Sequence, residues 1–184
     1  MANRRVVTGT DANGKAVVTS NEEIEPVTVS LMPGLEFGLA WGADDTVSLP
    51  TDGTSADAPA YFPPERGFRF AFVTIPPEPR SERPEGDSPG SPASQASEAI
   101  REVEDKLPGL LTHIEPDHPG MHTTDTIDFD VVLSGEIWLE VDDGAEVKLE
   151  TGDCVVQNGT RHSWHNRSTD PCVLAVALVG ARRK

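Results

Sequence analysis

Hydrophobic and polar positions alternate in short runs along most of this chain, and turn residues separate the runs. Phe68–Ile75 (FRFAFVTI) is the clearest. Its period of two predicts a strand with Phe68, Phe70 and Phe72 on one face. That stripe suits the core or a sheet-packing surface, and Phe70 is a candidate to face a substrate. Residues 4–8 and 15–19 are β-branched runs around Asp11-Ala12-Asn13-Gly14, a hairpin signal. Val27–Leu31 and Leu35–Trp41 read as two further strands split by Pro33-Gly34. Residues 42–66, rich in Asp, Thr, Pro and Gly, read as a long loop.

From residue 121 onward the runs come at close spacing. Glu136–Val141 alternates, with Ile137, Leu139 and Val141 on one side and Trp138 on the other. Asp142-Asp143-Gly144 turns the chain, Val147–Leu149 returns it, and Gly152-Asp153 turns it again. Strands are expected at Cys154–Gln157, His162–Asn166 and Val173–Val179. Many short antiparallel strands with tight turns predict an all-β sandwich or barrel. One stretch breaks the pattern. Ile100, Val103 and Leu107 recur at helical spacing, Ser97 suits an N-cap, and Pro108-Gly109 stops the run. Ahead of it, residues 76–96 are low-complexity Pro, Ser, Gly and Glu.

The formal net charge is -16 over 184 residues. That balance argues against nucleic acid or an anionic membrane as partner. No apolar run of signal-peptide or membrane-spanning length is present, so a soluble cytoplasmic protein is expected. Cys154 and Cys172 are too few for a disulfide scaffold and read as two buried, inert thiols.

Chemistry concentrates in the last third. If 122–128 is extended, His122, Thr124, Thr126 and Asp128 share a face, and so do His162 and Trp164. Inside a barrel, His122, Asp128 and His162 could converge as ligands of Fe, Mn, Zn or Ni with open positions. His165 should face away and be exposed, and Asp125 reads as structural. His118, Thr124 and Arg161 are candidates for catalytic roles. Trp164, Phe70 and Arg161 are candidates for substrate contact.

Met121–Val179 resembles the small single-domain cupins. The family's first block is matched by His122, Asp128 and Gly135, and its second by Gly152-Asp153, Gly159, His162 and Asn166. Thr124 stands where the family has its second His, and Asp128 where it has Glu. The resemblance thus implies a double-stranded β-helix (jelly-roll-like) barrel with a three-ligand metal site at His122, Asp128 and His162. It divides the chain into N-terminal strands completing the barrel (1–75), a loop and short helix (76–110), and the barrel core (111–184). It implies a divalent transition metal, a small-molecule substrate and a homodimer, with Trp138 a candidate for dimer packing. The expected activity is lyase or isomerase chemistry, such as dehydration or decarboxylation. Fe(II) dioxygenase activity and metal-free, non-catalytic binding are the alternatives.

Overall fold

The computed structural model describes residues 3–55, 58, 60–79 and 92–184. The low-complexity stretch expected over 76–96 lies mostly outside them. Among the described residues there are ten strands: β1 (Arg4–Thr10), β2 (Ala16–Glu23), β3 (Glu36–Ala43), β4 (Phe68–Ile75), β5 (Thr126–Ser134), β6 (Glu136–Glu140), β7 (Glu146–Glu150), β8 (Cys154–Gln157), β9 (Ser163–His165) and β10 (Cys172–Gly180). One helix, α1 (Pro92–Lys106), precedes the second half. It is not long and apolar enough to cross a membrane.

A five-stranded sheet runs β3-β4-β10-β5-β8, and a three-stranded sheet runs β7-β6-β9. All the pairings are antiparallel. The sheets join where β5 turns into β6 at Gly135, whose φ is +82°. A Cβ there would stand 2.8 Å from the Pro171 carbonyl oxygen, so only glycine fits. Val132, Ile137, Leu139, Leu149, Cys172 and Leu174 fill the space between the sheets. A second cluster joins Val103, Leu107 and Leu110 to Val29, Phe37 and Val73, so α1 and its C-terminal extension close one end of the barrel.

Several expectations change. β1 and β2 pair only with each other, so of the strands in 1–75 just β3 and β4 enter the large sheet. Their turn is built as expected, with Asp11 Oδ1 accepting from the amides of Asn13 and Lys15. Val27–Leu31 is not a strand: Val27 makes one isolated bridge to Phe37. Ser97 lies inside α1 rather than at its start. Cys154 is exposed; Cys172 alone is buried.

The largest correction concerns faces. β4 has its expected bounds, but Arg69, Ala71 and Val73 are its buried positions, and Phe70 is 39% exposed. Phe68, Phe70 and Phe72 share the outer face of the large sheet. Cross-strand register extends that face in rows: Phe70 beside Ala177, Phe129 and Val156, and Phe68 beside Val179 and Ile127. No outward position of β4, β5, β8 or β10 is charged.

Candidate functional site

Strand β5 aims a polar row into the barrel. Thr124, Thr126, Asp128 and Asp130 are all buried, while Asp125, Ile127 and Phe129 between them are exposed. Just before it, His122 forms a two-way backbone bridge with His162, with N–H···O distances of 2.9 and 3.0 Å. The bridge brings the two imidazoles together, with ring centroids 4.1 Å apart and planes tilted by 53°. Trp164 meets His162 edge-on at 6.0 Å.

His122, His162, Asp128, Asp130 and Trp164 line one cavity of about 210 Å³. Its remaining wall is largely apolar. Val73, Ile75, Leu174, Val176 and Leu178 come from the large sheet, Tyr61 and Phe62 from the loop after β3, and Leu110 and Ile114 from beyond α1. Tyr61 reaches the cavity because a buried arginine holds its loop. Arg69 donates to the carbonyls of Ala43, Ala60 and Phe68 and pairs with Asp44 at 2.5 Å.

Electrostatics follow from this mostly apolar enclosure. Burial, with the neighbouring Asp128, pushes Asp130 up to about 7. Burial alone pushes Asp128 up to about 6, against a hydrogen bond from Thr126. Burial, and then the adjacent His122, pushes His162 down to about 4; burial also lowers His122. Tyr61 is raised by burial and by both aspartates. Each imidazole therefore stays neutral near pH 7. His122 Nδ1 donates to the Gly120 carbonyl and His162 Nδ1 to the Thr160 carbonyl, each at 2.9 Å. These bonds select the tautomer whose Nε2 carries the lone pair.

The sequence candidates separate accordingly. His122, Asp128, His162 and Trp164 reach the cavity. Phe70 does not, because its parity on β4 is outward. Arg161 does not, because both its edges are bonded to Glu115 and Asp142. His118 lies with Arg161 in a separate polar depression. Thr124 is buried, accepts a hydrogen bond from Thr126 and is not part of the cavity wall. Asp130 escaped the sequence reading although it shares the parity of Asp128, which was the available signal. Tyr61 carried no such signal.

His165 is half-buried rather than exposed, with Nδ1 on Glu78 and Nε2 on Glu140. Among the described residues, the set of His, Cys, Asp and Glu whose ligand atoms all lie within 4.8 Å is Glu140, Glu146 and His165. Arg167 holds both carboxylate oxygens of Glu146. With His165 also bonded on both nitrogens, this group is a satisfied surface ion-pair network.

The barrel site matches a divalent ion in donor type. It offers two neutral imidazoles and a buried Asp128 Oδ1 without a hydrogen-bond partner. It does not match in spacing, since His122, Asp128 and His162 do not meet that 4.8 Å limit. The three do not close around one ion as they stand.

Residues 110–179 match the family model of the cupin domain. The chain carries a cupin domain. The cupin segment contains the bridge between His122 and His162, the polar row of β5 and Trp164. Over 48 residues the chain is 54% identical to phomopsin biosynthesis cluster protein C' of Diaporthe leptostromiformis, covering 26% of this chain and 25% of that protein. Over 55 residues it is 47% identical to oryzines biosynthesis cluster protein J of Aspergillus oryzae, covering 28% and 31%. The matches thus span a quarter to a third of the length of these curated relatives. A cupin 2 conserved barrel domain protein of Salinispora arenicola aligns over 87% of this chain and 90% of its own, at 18% identity and a TM-score of 0.42.

Proposed function

We propose that this cupin is a small-molecule enzyme of the lyase or isomerase type that moves a proton on an organic substrate held in the barrel. One observation carries the reading. Two imidazoles fixed by backbone carbonyls, with Nε2 free, share an apolar cavity with two buried carboxyl groups. Groups whose environments favour neutral base beside neutral acid are suited to paired proton transfer. Asp128 or Asp130 gives a proton to a substrate carbonyl oxygen. Nε2 of His162 or His122 takes one from the adjacent carbon, giving an enol. The carboxylate left behind raises the basicity of the imidazoles and so helps the transfer. Return of a proton at another carbon completes an isomerisation; loss of a β-leaving group completes an elimination. The biosynthesis-cluster relatives support a role in making a small molecule.

A substrate-independent test is deuterium wash-in. Acetophenone in D2O, followed by ¹H NMR, should lose its methyl protons faster with the protein than without it. His162→Ala and Asp130→Asn should each slow that exchange by about 100-fold. Binding of acetophenone without any exchange sinks the enzyme reading and leaves a non-catalytic binding cupin.

A second reading is favoured by the unpartnered Asp128 Oδ1. In it His122, Asp128 and His162 hold Fe, Mn, Zn or Ni, once the three donors draw closer than they stand; Fe(II) oxygenase chemistry belongs to this reading. Metal analysis of freshly purified protein separates the two. Exchange lost on chelation and restored by one of these ions supports the metal; exchange indifferent to chelation removes it.

The proposal extends to assembly as a homodimer. The uncharged outer face of β4, β10, β5 and β8, with Phe70 and Phe129 39% and 45% exposed, is the surface for it. Trp138 is covered instead by Lys148, whose Nζ lies 5.5 Å from the ring centroid. On a chain of charge -16, a face without charges lets two copies meet without repulsion across it.

A further inference from the structure

The cavity is as informative for the side chains it lacks as for those it has. None of its lining residues is Lys or Arg. Two arginines of the barrel are already committed. Arg161 is bound by Glu115 and Asp142 outside the barrel, and Arg69 is spent on three carbonyls and Asp44. Among the described residues the other common device for anions, the N-terminus of an α-helix, does not face the cavity: α1 leads toward it with its C-terminal end, and Leu110 beyond that end stands in the wall. The fixed polar groups are instead two aspartates and two imidazoles whose free nitrogens accept. A carboxylate or phosphate entering here would lose its water and meet carboxyl groups and hydrocarbon.

We infer that the cavity takes an uncharged, mostly apolar molecule, or the uncharged end of a larger one, bearing a carbonyl or hydroxyl group, and excludes carboxylates and phosphates. The inference rests on the cavity being the reactive site proposed above and names its substrate class. Size points the same way. A cavity of about 150 Å³ accommodates benzene. About 210 Å³ therefore suits a single ring, or a chain of similar bulk, with a short substituent. The apolar wall from Val73, Leu174, Val176 and Leu178 supplies affinity, and the polar row of β5 orients the oxygen.

Calorimetric titration of the full chain at pH 7 with four size-matched probes tests this: acetophenone, benzyl alcohol, benzoate and phenyl phosphate. The two neutral probes should bind at least tenfold more tightly than either anion. Leu178→Trp, which fills the cavity, should weaken the neutral probes at least tenfold; Val176→Phe is the gentler filling should the first variant not fold. Benzoate or phenyl phosphate binding as tightly as benzyl alcohol overturns the inference. So does the absence of neutral-probe binding, or its survival in both filled variants. Neutral-probe binding without deuterium exchange would refute the proton-transfer reading alone, whereas a preference for anions would refute the substrate class and leave any observed exchange standing.

Discussion

Asp130 shows how one buried side chain couples fold and chemistry. Its folded pKa is pushed from 3.8 up to about 7, chiefly by burial. Between those values the folded state keeps a proton that the unfolded chain has lost. Stability at this site is therefore undiminished below about pH 4, falls as pH rises toward 7, and is flat above. Asp130→Asn removes that dependence. Chelator-treated Asp130→Asn should be more stable than the parent at pH 8, by about 2–4 kcal/mol at one unit per 1.36 kcal/mol, and little changed at pH 4. Urea melts at the two pH values check this, and an equal effect at both would rule it out. Asp130 was legible in principle, because β5 puts it two residues from Asp128 on the same face. The family spacing ends at Asp128, two residues short of it.

At the scale of elements, Arg69 decides where the loop between β3 and β4 goes. Its side chain is 2% exposed and spans the carbonyls of Ala43 and Ala60. The residues after Ala60 are Tyr61 and Phe62 in the cavity wall. Removing one partner from a buried charged network strands the others. Arg69→Met should cost about 3–5 kcal/mol in urea denaturation, with Arg69→Lys recovering little of it because an ammonium cannot span the same carbonyls. Full recovery by lysine would show that charge alone matters. The strand from Phe68 to Ile75 was legible to the residue, yet which of its faces is inward was not. Alternation defines two faces, and three aromatic rings suit the core and a sheet-packing surface equally. The inner face instead takes the smaller Ala71 and Val73, leaving room for the cavity, and the rings form the outer surface.

At the scale of the whole molecule, that outer surface carries the next expectation. A contiguous apolar sheet face is a surface that monomers rarely leave bare. Light scattering after size exclusion should give the mass of a dimer, and Phe70→Glu with Phe129→Glu should give a monomer with unchanged far-UV circular dichroism. A dimer that survives both charges would move the interface elsewhere, the small sheet around Trp138 being the next surface to test.

Period-two alternation and turn chemistry by themselves determined most of the strands, the all-β class and the shared face of His122 and Asp128. These are local properties: a strand's pleat and a turn's dihedral angles are set within a few residues. Tertiary structure alone decided which face of β4 is inward, that β1 and β2 stand apart from the large sheet, and that Tyr61 joins Asp128 and Asp130. It also decided that Arg161 is spent on Glu115, and that the three expected metal donors share a cavity without closing on one point. Each of these depends on distances between segments far apart in the chain, where burial and pairing choose among faces that local periodicity leaves equivalent.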